Sequence, residues 1–285
     1  MANITIKNEY LNVTISTLGA EIQSVKKAEK EMIWQGAEGF WNKHAPVLFP
    51  ICGMVKNNEY ILEGKKYNLA KHGFASKSEF LAESVQDVEA TFLLKSTEET
   101  KKCFPFDFEL RLIYTLDGEK LKVDYSIKNL GENDMYCSIG AHEAYACPGG
   151  IEKYSVIFEH IEDFNSIKLK GALLGRDTFS VGKNTNEIKL SYKYFVPEID
   201  TLVFSDLKSR KAWIKNNETG EKIEIQYDGF DYLGIWTTKD AEYICFEPWC
   251  GIPDYFDTDK DITKKAGILK IPPKQTMIKT HSIVF

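Results

Sequence analysis

The sequence lacks what would mark it for a membrane, for nucleic acid or for a disulfide-stapled scaffold. Its start, MANITIKNEYLNVTIS, has neither the basic opening nor the apolar core of a signal peptide, and no apolar run approaches the roughly 20 residues that span a bilayer. The expectation is a cytoplasmic protein with no membrane partner. Lys and Arg number 36 against 42 Asp and Glu, with a net charge of -6 and no block dense in basic residues. That balance argues against a nucleic-acid surface. The six cysteines are even in number, yet Cys245 and Cys250 have no second Cys or His pair at a metal-binding spacing, and Cys52 and Cys103 stand alone. In a reducing compartment they read as buried free thiols, not as disulfides or a zinc site.

Several chemistries lose their signatures in the same way. No G-x-S-x-G elbow is present, nor a G-x-x-x-x-G-K-[ST] phosphate cradle, nor a G-x-G-x-x-G turn. No Pro/Ser-rich linker or low-complexity tract divides the chain, and 285 residues suffice to bury a large core. Residues 1–285 are therefore expected to form one domain.

What is present is alternation. In FELRLIYTL, Phe108, Leu110, Leu112, Tyr114 and Leu116 share one face, while Glu109, Arg111 and Thr115 take the other. After Asp117-Gly118, a turn signal, KLKVDYSIKN repeats the pattern with Leu121, Val123, Tyr125 and Ile127, so the two segments predict a hairpin. The rhythm returns in ITIKNEYLNVTIS, KIEIQYDG and HSIVF. Turn clusters recur at KNNE (56–59), NLGEND (129–134) and NNETGE (216–221), and no segment sustains a helical apolar stripe beyond about three turns. The expected fold is all-β, a large antiparallel β-sandwich, with site residues drawn from distant strands.

The ionisable residues then narrow. In YICFEPWCGIPD a single acid, Glu247, sits in an apolar run, where burial disfavours its charged form. It is a bystander to two cysteines, a satisfied structural acid, or a general acid-base group. His44, His160 and His281 lie in ordinary surroundings. His72 precedes a glycine and Phe74 in AKHGFAS, and His142 lies among small residues in SIGAHEAYACPGG. Each is either a hydrogen-bonded structural histidine or, with Glu247, part of a proton-transfer set in which one group takes a proton while another gives one.

The chain resembles the aldose 1-epimerase (galactose mutarotase-like) family. The resemblance rests on LGAEIQSV, APVLFPICG, KHGFA, SIGAHEAY, DTLVF, GFDYLGIW and ICFEPWCGIPD, in that order and over nearly the whole length. It implies a β-supersandwich that interconverts the anomers of a free hexose such as galactose or glucose without a cofactor. Carried over, it implies that Glu247 is the base at the anomeric hydroxyl, that His142 is the acid at the ring oxygen, and that His72 orients the sugar. Asp200 in DTLVF matches an acid that holds a sugar hydroxyl. Phe74, Trp236 and Trp249 could lie against the sugar's C–H faces, with core packing as the alternative, above all for Trp249.

Two positions depart from the family pattern. Met54 after FPICG and Ser76 after HGFA stand where arginine is usual, and neither replaces a planar, charged fork. Their loss argues against a phosphorylated substrate, while Lys56, Lys71 and Lys77 lie nearby as substitutes. A sugar-binding protein without turnover and a mutarotase of phosphorylated hexoses are the alternatives.

Overall fold

The hairpin forms where the alternation places it. In the computed structural model, which describes residues 1–285, strands Phe108–Asp117 and Lys120–Asn129 pair antiparallel. Leu110 faces Ile127, Leu112 faces Tyr125, Tyr114 faces Val123 and Leu116 faces Leu121; all eight are buried. The loop lies one residue later than its sequence signal. Asp117 pairs with Lys120, which leaves Gly118 and Glu119 as the loop, with Gly118 at φ 58°. A tight hairpin loop takes positive φ at its first central position to match the strand twist, and glycine does so without steric cost.

This hairpin belongs to a nine-stranded antiparallel sheet. Its order is Leu173–Lys189, Tyr154–Lys170, Lys211–Asn216, Lys222–Gln226, Thr276–Val284, Lys120–Asn129, Phe108–Asp117, Glu89–Lys95, Leu81–Val85. KIEIQYDG and HSIVF supply strands of this sheet. ITIKNEYLNVTIS supplies two strands, Asn3–Lys7 and Leu11–Ser16, of a separate four-stranded sheet. The NNETGE turn joins Lys211–Asn216 to Lys222–Gln226, and in KNNE both Asn57 and Asn58 take left-handed φ, near 59° and 54°, as asparagine tolerates. The only α-helix, Glu98–Cys103, is closed by a capping box between Thr97 and Thr100.

A smaller sheet faces the large one and carries the site. Its strands run Ile139–Gly140, Tyr243–Cys250, Tyr232–Trp236, Leu202–Phe204, and Glu143–Ala146 also pairs with Tyr243–Cys250. Strand accounts for 52% of the chain and helix for 7%, so the core must be closed by sheet on sheet. One cluster of 58 buried apolar residues does this, with Leu112 and Tyr125 of the large sheet alongside Leu233, Ile235, Ile244 and Phe246 of the small one. No helix is long and apolar enough to cross a membrane.

Candidate active site

Every residue of the strand Tyr243–Cys250 is buried, which explains why its sequence shows no polar alternation. The period of two survives in what each face meets. Ile244, Phe246 and Cys250 point into the main core. Tyr243 and Cys245 face the opposite way, beside Trp34, Trp41 and Trp236, and Glu247 and Trp249 continue that face into a pocket of about 350 Å³. Such a volume is that of a small-molecule site.

Trp249 fits there because two neighbours lack side chains. A Cβ on Gly234 would stand 2.6 Å from Trp249 Cζ2, and one on Gly140 would stand 2.7 Å from its Cδ1. The indole therefore lies between the adjoining strands, against Leu48, Cys52 and Val203, and forms pocket wall as well as core. Its Nε1–H approaches Glu247 and favours the charged carboxylate, short of a fully formed hydrogen bond.

His142 occupies the break between Ile139–Gly140 and Glu143–Ala146. Its Nε2 lies 3.3 Å from Glu247 Oε2, and its Nδ1 is buried without a partner. Trp41 stacks on the imidazole at 4.9 Å and 23°, while Trp236 meets it edge-on at 5.9 Å. The face of an aromatic ring attracts a cation, so Trp41 offsets part of the burial that disfavours an imidazolium.

His72 takes a left-handed backbone, φ 64°, ahead of Gly73 at φ 72°. The bend is fixed by reciprocal bonds: the His72 backbone N–H donates to the Gly53 carbonyl at 2.7 Å, and the Gly53 N–H donates to His72 Nδ1 at 3.1 Å. An Nδ1 that accepts leaves the proton of the neutral ring on Nε2. His72 thus presents a donor, and its ring lies 5.6 Å from that of His142. Asp200 is also left-handed, φ 63°, and lines the pocket just before the strand Leu202–Phe204. Strained backbone at two pocket residues is a pattern typical of functional sites.

Burial governs the ionisation. It pushes Glu247 well above the usual carboxylate range, against the pull of Lys71, and holds His142 well below an ordinary histidine. His72 is pushed down to about 3 by burial, with Lys71 and Lys43 adding to the effect. The Glu247–His142 pair therefore favours one shared proton, held as acid and imidazole or as carboxylate and imidazolium.

The pocket gathers His72, His142, Glu247, Asp200 and Trp236 from five segments. Phe74 is not among them. The turn at Gly73 directs it inward, where its ring meets Phe49 at 6.0 Å and Phe108 at 6.1 Å, so the expected aromatic wall at this position is core. Trp41 takes that place, a residue that no local motif announces in WNKHAPV. Of the three lysines read as substitutes for arginine, Lys71 and Lys77 line the pocket and Lys56 does not; Lys43 joins them from the segment after Trp41. His142, Cys245 and Glu247 could offer ligand atoms within 4.8 Å of one another. Burial holds the Cys245 thiol far up its range, however, and a metal binds the thiolate, so this donor set is a poor one. All six cysteines are free.

The Glu247–His142 pair thus lies in a pocket on the small sheet of a large antiparallel β-sandwich. Residues 2–270 match the aldose 1-epimerase family, and the chain belongs to it. Among its relatives, the plasmid-encoded protein LacX of Lactococcus lactis subsp. lactis is 32% identical, with 98% of each chain covered. The crystal structure of a galactose mutarotase related enzyme from Lactobacillus acidophilus superposes with a TM-score of 0.93 at 33% identity, covering 99% of this chain and 97% of that one. A galactose mutarotase-like protein from Lactobacillus casei ATCC 334 gives the same TM-score at 26% identity, with 99% of both chains covered.

Proposed function

We propose that the chain, acting as one domain over residues 1–285, is a cofactor-independent aldose 1-epimerase that interconverts the α and β anomers of a hexose such as galactose or glucose. The observation that carries this reading is the 3.3 Å approach of His142 Nε2 to Glu247 Oε2 at the floor of a pocket. The anomeric hydroxyl and the ring oxygen are both bonded to C1, so a base for one and an acid for the other must lie side by side. From the carboxylate–imidazolium form of the pair, Glu247 takes the hydroxyl proton while His142 gives one to the ring oxygen. The bond between C1 and the ring oxygen breaks, and an aldehyde forms. Rotation about C1–C2 and closure with the roles reversed yield the other anomer, and the pair again holds one proton. His72 donates Nε2–H toward the ring oxygen, Asp200 accepts from a hydroxyl, and Trp236 and Trp249 cover the C–H face.

A binder without turnover is the second reading, because a carboxylate and an imidazole also hydrogen-bond sugar hydroxyls. Polarimetry of freshly dissolved α-glucose and α-galactose separates the two. Faster equilibration than in buffer supports the epimerase; binding by calorimetry with a buffer-rate approach to equilibrium leaves the binder.

A further inference from the structure

Behind the proton pair the core holds a second acid and histidine that the reaction above leaves unused. Glu143 follows His142 directly and pairs with Phe246 across the strands, so its side chain points with Phe246 into the core while His142 lines the pocket. There Glu143 Oε1 lies 3.1 Å from Nε2 of His281, which comes from the strand Thr276–Val284 of the large sheet. Both residues are buried. Tyr125 stacks on the His281 ring at 5.7 Å and 19°, much as Trp41 stacks on His142. Two acid–imidazole couples thus stand back to back, joined through consecutive residues.

The second couple is a poor choice for packing alone. Glu143 Oε2, His281 Nδ1 and the Tyr145 hydroxyl are buried without a hydrogen-bond partner, and apolar residues of similar volume often fill such a place with no loss of stability. Burial and then the charge of Glu143 push Tyr114, Tyr125 and Tyr145 up. The same carboxylate adds to the burial that raises Cys245 and Glu247. On its pocket side Glu247 also faces His142, Lys71 and Asp200.

Resting on the epimerase reading above, we propose that Glu143 and His281 are positioning residues for the reaction: their contact ties the His142 turn to the large sheet, and the Glu143 carboxylate strengthens Glu247 as a base from behind. The tie restricts the imidazole to the place where its Nε2 meets Glu247. A second negative charge opposes ionisation of Glu247, so the carboxylate, once formed, takes the hydroxyl proton more readily. His281 offsets this less, because it belongs to the sheet farther from the pocket.

The test uses Glu143→Gln, which keeps the shape, and Glu143→Leu combined with His281→Phe, which replaces the couple by apolar groups. Turnover of α-glucose and α-galactose is followed by polarimetry across pH, beside urea unfolding. The double variant is expected to unfold at or above the wild-type midpoint; if it fails to fold, Glu143→Gln decides alone. In both proteins kcat should fall on the order of tenfold with KM little changed. The alkaline limit of kcat/KM should move to lower pH, because losing the charge behind Glu247 weakens the pair's hold on its proton. Wild-type kcat and pH limits in Glu143→Gln overturn the proposal and leave the epimerase reading standing. A kcat loss without any pH shift also overturns it, since that is the mark of a purely structural role. If the wild type turns over no sugar, the epimerase reading fails, and the ring-nitrogen NMR resonances of His142 decide this proposal separately: they must change in tautomer or titration in Glu143→Gln, and resonances identical to wild type refute it.

Discussion

Gly234→Ala tests whether the fit of Trp249 between its neighbours sets the geometry of the site. Gly234 pairs with Glu247 across the strands, and its missing side chain is where Trp249 lies. A Cβ there would stand 2.6 Å from Cζ2 and 2.7 Å from Cη2, about 1 Å inside the 3.5–4.0 Å at which carbon atoms attract. Neither atom is the loose end of a flexible chain, and on the opposite side the ring lies so close over Gly140 that a Cβ there would stand 2.7 Å from Cδ1, so the ring has little room to step away. Overpacking of this kind costs about 1–3 kcal/mol. The activity loss should exceed that share, because Trp249 and Glu247 lie on one face two residues apart and a displacement of about 1 Å at reacting groups can cost around 100-fold. Urea unfolding and polarimetric kcat read the two effects. Adding Trp249→Phe, which removes the atoms that clash, should recover part of the stability, with a coupling of about 0.5–3 kcal/mol. A Gly234→Ala protein with wild-type unfolding midpoint and turnover would refute the packing argument.

Three further outcomes follow from the same geometry. Glu247→Gln keeps the shape and removes the base, so kcat should fall by roughly 100- to 10,000-fold; because the folded carboxyl is raised, its ionisation weakens the wild type as pH climbs above about 4.3, and the thermal stability of the variant relative to wild type should increase with pH over that window. The pH profile of kcat/KM should run flat through about 6.5, the ordinary imidazole value, since burial lowers His142 and raises Glu247 and so widens the range of the one-proton pair on both sides; a single titration centred there would contradict it. Lys265→Met should destabilise by about 3–5 kcal/mol in chemical unfolding, because Lys265 Nζ holds buried Asp254 at 2.7 Å and the Ile252 carbonyl at 2.6 Å; restoring most of that loss with Asp254→Asn added would identify the stranded carboxylate as its cause.

The large sheet was legible in the sequence because one face of each hairpin strand meets the core and the other meets water, which writes burial directly as alternation. Leu110 to Leu116 and Leu121 to Ile127 are such strands. The strand that bears Glu247 was not legible in this way. Both of its faces are covered, so Cys245 and Phe246 look equivalent in sequence although one faces the aromatic cluster and the other the core. The family motifs located Glu247, His142 and His72 where periodicity could not. They gave no direction for Phe74, because a side chain's aim after a left-handed pair such as His72-Gly73 depends on the turn.

The charge around the pocket is not set by positions 54 and 76 alone. A cation is placed by where its charge ends, and a lysine side chain can bring that end to a site from a distant stretch of chain. Ser76 and Lys43 are 33 residues apart, yet Lys43 Nζ and Ser76 Oγ are 3.5 Å apart. A substitution that removes charge from a motif therefore says little about the charge of the pocket until every segment reaching the pocket is counted. Here the segment 41–43 contributes both the Trp41 ring that stacks on His142 and the Lys43 ammonium at Ser76. One segment with no motif of its own thus bears on both the proton pair and the pocket mouth, which makes deletion or reshaping of residues 41–43 more damaging to the site than any single change at position 54 or 76.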